Sequence, residues 1–402
     1  MDLTVRQAPA MQEPPVREPF IDAVFGTRIV RVTDTLTDKS ADDVSGGMKN
    51  EYSRIEAFNS DGTKFIIRGT AGTWYLYDAA TLRPDKRLPI VIDPRWSATD
   101  PGVIYFFDET RLMSVNVRTD EVKPVHEFAG DFPGQALAAV WTRYEGSPSL
   151  DGRYWGLMAE DKDWHTVALL VYDLKEDAVI ARRDLRGVPN ADADSVTISP
   201  LGNYVVAQDE YLPAGQLGND TYPGGLMVYD RDLEHGRGLV RIIGHSDLAL
   251  DRDGREVMVF QDIDNDTISM VDLATGNVTR LMPIDFSHTA LGFHFSGLGT
   301  KTPGWAIVST HNGGKPSSQT WMDDSVFAIE LIPDGRIVRL AHTYSVYNEN
   351  VEHDYWAEPQ GSASRDMTRI LFTSNWGKTG TDEVEAYMIV LPENWLDFLP
   401  AG

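Results

Sequence analysis

The chain reads as an all-β protein, a single seven-bladed β-propeller, on three observations. Tight turns recur at a near-constant spacing, apolar runs flank each turn in pairs, and no segment shows the three-and-four spacing of a helical repeat. The turns fall at Asp61-Gly62, Pro101-Gly102, Asp151-Gly152, Leu201-Gly202, Asp253-Gly254, Pro303-Gly304 and Asp366-Met367. Their separations are 40, 50, 50, 52, 50 and 63 residues. Six of the seven contain glycine, as expected if the turn needs positive φ.

Each turn is followed by a strand-like run: KFIIRG, VIYFFD, RYWGLMA, NYVVAQ, REVMVF, WAIVST and TRILFTS. A second run comes after it: TWYLYD, RLMSVNV, VALLVYDL, GLMVYD, TISMVDL, SVFAIEL and EAYMIVL. Strand, turn, strand, loop, strand is the order within a propeller blade. The last blade lacks an outer strand, because the chain ends soon after EAYMIVLPENW. The run TRIVRVTD, residues 27–34, is expected to supply it and close the ring without a covalent bond. Residues 1–20, rich in proline, are expected to form an extended surface arm, with the propeller over 21–402.

Composition removes several functions. No cysteine is present, so disulfides, thiolate metal sites and a cysteine nucleophile are excluded. The net charge of −25 argues against nucleic acid and anionic membranes as partners, since phosphate recognition needs a basic face. No apolar stretch approaches the length that spans a bilayer. The N-terminal residues show no secretory leader, so the expected location is cytoplasmic, or secreted or periplasmic if a leader has been removed. Nothing in the sequence fixes the oligomeric state, and no organic cofactor is expected.

In a propeller, the start of each inner strand and the loop between the second and third strands open on one face. Those loops are short in the first, second and fifth blades. They lengthen at EDKDWH in the third, at 209–225 in the fourth, at 311–324 in the sixth and at NWGKTGTDE in the seventh. Long loops on one face are expected to wall a cleft. Counting about eight residues back from each turn gives the channel positions: Ser53/Arg54, Asp93/Arg95, Arg143, Ala193/Asp194, His245, His294 and Glu358, with Gln360 close by. Arg, His and acidic groups converging there point to a binding site rather than an aliphatic plug. Trp141, Trp164, Tyr211, Tyr222, Trp321, Trp356 and Trp376 fall near the cleft, where rings stack sugars or simply pack blades.

His245, His294 and His353 come from consecutive blades at corresponding depth, a donor set suited to Mn, Zn or a similar divalent ion. For His245 a structural role competes, because GHSDLALDRDG resembles a WD repeat whose histidine hydrogen-bonds an aspartate. His165, in DKDWHTVALL, lies on a loop of the same face.

PGWAIVST, preceded by His294, and EPQGSASRDMTRILFTSNWG, preceded by His353, resemble the last blades of oligogalacturonate lyases. The likeness is clearest over 245–380 and extends weakly to EYSRIEAFNSDGTKF and DPRWSATDPGVIYFF. Related seven-bladed lyases act on other uronate polysaccharides, including ulvan. The resemblance implies β-elimination at a uronic acid in an acidic oligo- or polysaccharide. It also implies a divalent metal (Mn, Zn or Ca) held by histidines and a glutamine, matched here by His245 or His294, His353 and Gln360. A third histidine beside Gln360 is missing, since Trp356 and Glu358 occupy that stretch. The ulvan-type constellation of His, Tyr and Arg finds counterparts in Arg143, Tyr144, His165 and Tyr211.

The chemistry assigns expected roles. Arg54 and Arg143, with Arg95, hold the substrate carboxylate; His165 or His245 is the base; Tyr144 or Tyr211 is the acid; Trp164 and Trp356 contact sugar. Two rivals remain. One is a non-catalytic propeller that binds a glycan or protein. The other is a hydrolase, which is disfavoured because no GxSxG elbow is present and the channel carboxyls Asp194 and Glu358 stand three blades apart.

Overall fold

The computed structural model describes residues 3–284, 291–312, 320–348 and 351–398, without the side chains of Glu352, His353 and Phe398. Seven antiparallel sheets follow one another around a ring. The first contains Met48–Lys49, Lys64–Gly69, Trp74–Asp78 and Pro84–Leu88. The inner strands of the next five are Ile92–Trp96, Leu137–Trp141, Ser195–Ile198, Ser246–Leu250 and Leu291–Ser296. Each of these six sheets has four strands.

The seventh sheet joins the two ends of the chain, as the sequence predicts. Ser362–Ala363, Arg369–Ser374 and Glu385–Val390 are extended by Arg28–Arg31, in the register Arg28↔Val390 to Arg31↔Tyr387. Pro19–Ile21 adds a fifth, outermost strand. Ile29 is fully buried in this seam, and burying one such side chain stabilises by about 2 kcal/mol. The core is distributed between neighbouring sheets. One patch joins the last and first blades through Val30, Met48, Phe65, Leu371 and Met388, so packing is continuous across the closure.

The hairpin turns show why the repeat is visible in sequence. Asn59, Ser149, Ser199 and Ser364 each accept, through the side chain, the N–H of the residue five positions later, at 2.9–3.1 Å. This bond satisfies the backbone at the start of the second strand. Gly152 and Gly254 take φ of 75° and 78°, as the pattern predicts. Two turns differ. Gly102 does not adopt positive φ, whereas Met367 does, at 56°. Met367 tolerates that conformation because its side chain is wholly buried against Gly299, where a Cβ would lie 2.4 Å from its sulfur.

The described part of the N-terminal segment crosses the outer edges of the last two blades. Arg339 donates to the Thr4 carbonyl and Trp376 Nε1 to the Met11 carbonyl, while Glu13 pairs with Arg31 and Lys378. No helix among the described residues is long and apolar enough to cross a membrane.

Candidate functional site

The inner strands of the first and seventh blades are only two residues long, which frees residues 50–55 and 357–361 from the ladder to line the channel. On this side three groups converge. His294 Nε2 lies 2.9 Å from Glu358 Oε2, and His311 Nε2 lies 3.7 Å from Glu358 Oε1. Ligand atoms of His294, His311 and Glu358 all fall within 4.8 Å of one another. His245 lies against His294, ring centres 4.3 Å apart, and Tyr52 meets His294 edge-on at 5.5 Å.

Burial, the largest cause, holds the His294 and His245 imidazoles down to about 3, helped by Lys49 and Arg54 for the first and by His294 for the second. His311 is lowered to about 4, again chiefly by burial, with Glu358 opposing. All three rings are therefore neutral near pH 7 and keep a lone pair. The Nδ1 atoms of His294 and His311 are buried without a hydrogen-bond partner. Neutral imidazoles whose Nε2 atoms face one carboxylate, each with an unpartnered Nδ1 besides, fit a divalent ion of the Mn or Zn kind. They suit Ca less, since Ca prefers oxygen ligands throughout.

His311 was absent from the sequence-derived ligand set. It is the penultimate residue of the second strand of the sixth blade, Trp305–Asn312, and pairs with Gly292 on the inner strand. A Cβ on Gly292 would stand 2.2 Å from the His311 ring, so glycine there makes room for the imidazole. That glycine opposite a strand-end histidine is the signal a reader could have used. Of the predicted metal set, His245 and His294 come together. Gln360 is drawn away: its side-chain oxygen accepts from Lys49 Nζ. His353 lies in the 3-10 turn Glu352–Ala357, and its side chain is outside the described residues.

A cavity of about 290 Å³ opens at the channel mouth, lined by Lys49, Tyr52, Arg68, Arg143, Tyr144 and Tyr355 among others. Lys49 and Arg68 stand directly opposite one another in register, a like-charge pair that costs stability. Burial, then Arg68, lowers Lys49 to about 7. Trp356 packs 5.5 Å from its ammonium. Arg143 and Tyr144 both have positive φ, 56° and 72°, a strained pair that turns their side chains to the mouth. The Arg143 guanidinium is about one-third exposed, 3.6 Å from Glu160.

Two arginines expected to hold substrate have protein partners instead. Arg54 pairs with Glu145 at 2.7 Å and donates to Ser246 Oγ. Arg95 pairs with Asp93 at 2.7 Å and donates to the carbonyls of Pro94, Tyr144 and Gly146. Both line a separate small cavity of about 70 Å³ together with Asp247. Lys49 and Arg68, which sequence reasoning did not single out, occupy the open mouth in their place.

Beyond Arg143 the mouth continues into a groove between the third and fourth blades. Tyr211, 56% exposed, lines it with Asp192, Asp194, Asp209 and Glu210. His165 lies further out, 3.5 Å from Asp192. Tyr144, Trp141 and Trp164 form a ladder of rings spaced 5.1 and 6.2 Å, with Trp164 and Tyr144 exposed. Trp321 and Trp376 instead pack on Phe327 and Tyr387, in the role of blade filler.

Fold and site together define a seven-bladed propeller with a cluster of neutral histidines and Glu358 inside a channel whose mouth carries Lys49, Arg68 and Arg143 beside Glu145 and Asp194. The chain is similar in structure to an oligogalacturonate lyase in complex with manganese, with a TM-score of 0.62 and 16% identity over 97% of this chain and 100% of that one. It is also similar to the oligogalacturonate lyase of Vibrio parahaemolyticus, at 0.60 and 15% over 94% and 97%. Hydrazine synthase of Kuenenia stuttgartiensis reaches 0.50 and 13% over 87% and 98%. No family profile and no curated protein matches the sequence. At these identities the likeness shows the propeller fold, and function rests on the site.

Proposed function

We propose that this protein is a lyase that cleaves a uronate-containing oligo- or polysaccharide by β-elimination. The observation that carries this reading is one cavity in which Lys49, Arg68 and Arg143 outnumber Glu145 and Asp194 on the wall, backed through Tyr52 by neutral imidazoles with unpartnered nitrogens. The C5 proton of a uronate is too weakly acidic to remove until its carboxylate charge is offset. Arg143 and Arg68 supply that offset by charge-assisted hydrogen bonds. His294, His311 and Glu358 would hold a divalent ion, which would supply Lewis-acid stabilisation to developing negative charge.

The base must be a neutral amine or imidazole near the reacting carbon. Lys49 lines the cavity and His245 stands behind it against His294, so these two compete for the role. Tyr144, a phenol that partial burial raises above its ordinary value, donates the proton to the departing oxygen. Exposed Trp164 and Tyr211 offer faces for sugar rings.

The test is the ultraviolet absorbance of the unsaturated product on a panel of uronate glycans, with added Mn and with chelator. A rise abolished by chelator and restored by Mn is the expected result. A flat trace from folded protein would favour the second reading, a glycan-binding propeller. The protein partners of Arg54 and Arg95 favour that alternative, because they remove two cations from the substrate's reach.

A further inference from the structure

The groove beside the channel mouth has the wrong charge for a second uronate. It is a cavity of about 540 Å³ lined by Asp192, Asp194, Asp209, Glu210 and Tyr211, with Arg143 at its junction with the mouth. One guanidinium faces four carboxyl groups; that guanidinium and Asp194 are shared with the uronate position, where Lys49 and Arg68 add two cations that the groove lacks. A ring bearing its own carboxylate or sulfate would meet net repulsion there.

The groove also holds a group waiting for a partner. Asp209 is 4% exposed and faces the cavity, and its Oδ2 atom is buried with no hydrogen bond. Gln208 Oε1, on the same wall, is likewise buried and unsatisfied. Buried acceptors without donors are costly, and a ligand that brings hydroxyl or ammonium groups into the groove would supply donors to them. Burial, then Asp192, lifts Asp209 to about 7, so its carboxyl can also donate to a sugar hydroxyl. Exposed Tyr211 offers a ring face at the same place.

We infer that this groove is a subsite for a hexose that carries hydrogen-bond donors and no anionic group, so that the substrate joins a uronate to a neutral or amino sugar. This rests on the lyase reading only for the chemistry at the mouth; the groove's preference stands on its own geometry. It deepens that reading by excluding unbroken polyuronate as the best substrate.

Calorimetric titration of the whole protein, in buffer freed of calcium, tests the subsite with three probes. They are digalacturonate, a disaccharide of a uronate joined to a neutral hexose, and one joined to glucosamine. The neutral and amino probes are expected to bind at least about tenfold more tightly than digalacturonate, with their ranking separating hydroxyl from ammonium recognition. Glu210→Gln, at an exposed position, and Asp209→Asn are each expected to narrow that gap. Tyr211→Ala should weaken all three probes alike, and it guards against failure of the buried variant to fold. Equal or tighter binding of digalacturonate would overturn the inference. So would digalacturonate binding that appears only when calcium is added, which would make the groove a cation bridge. Product absorbance on an alternating uronate glycan is recorded in parallel. Preference without product would sink the lyase reading and leave the subsite, whereas product without preference would do the reverse.

Discussion

The two sides of the channel are built from the same blade but end in opposite electrostatic states. Around the first three blades several charges are matched, Arg54 with Glu145 and Arg95 with Asp93, with Thr142 donating to Asp93, although Lys49 and Arg68 still face each other as like charges. Around the last three, burial has stripped the charge from His245, His294 and His311, and two ring nitrogens remain without partners. Matched ion pairs are spent on holding loops in place. Unmatched neutral donors are what a metal or a proton can use. The comparison therefore locates the candidate metal cluster on the side of the last three blades, while the first three combine paired charges with the cations of the channel mouth.

The strongest way to break this contrast is at Glu358. Glu358→Gln or His294→Ala should abolish metal retention, read by native mass spectrometry, and lower kcat by about a thousandfold. Retained metal with full activity would move the chemistry elsewhere. The matched ion pairs should respond in stability. Arg54→Met leaves Glu145, whose side chain is a quarter exposed, without its cation and should cost about 1–3 kcal/mol in urea unfolding, while the double change Arg54→Met with Glu145→Leu recovers most of it. A large loss of activity in a fully stable double variant would return Arg54 to the substrate.

A smaller effect is expected at the groove. Asp209 has a folded pKa of about 7, above its unfolded value, so the proton-bound form is favoured in the fold. Its contribution is present in acid and lost as pH rises through 7. Asp209→Asn should therefore raise stability at pH 8 by on the order of 2 kcal/mol, and change little at pH 4. The smallest effect separates the two candidate bases. With Lys49 acting, kcat/KM falls about tenfold per pH unit below 7 and is level above, because the ammonium cannot accept a proton. With His245 acting, the profile stays level well into acid, since that ring protonates only near 3.

Much of this was legible before any coordinates. The turn spacing gave the blade, and alternation gave its strands. TRIVRVTD declared itself as the closing strand because the last blade was one short. Counting back from the turns brought Arg143, His245, His294 and Glu358 to the channel. The count did not show which of those side chains would be consumed by neighbours. Arg54 and Arg95 read as substrate ligands only until Glu145 and Asp93 are seen beside them. Lys49 and His311 lay outside the counted positions. Lys49 belongs to an inner strand only two residues long, and His311 sits at the far end of a second strand.

What the sequence determined by itself is therefore whatever depends on local period: seven hairpin turns, paired apolar strands, a ring closed by the chain's own beginning, and one face with long loops. What only the tertiary structure decided is pairing between distant residues. His294 meets Glu358 across 64 positions, and Arg54 meets Ser246 across 192. Periodicity fixes which way a side chain points, because strand geometry repeats every two residues. Whether that side chain keeps its charge and its free lone pair depends on what the closed ring brings within a few ångströms of it.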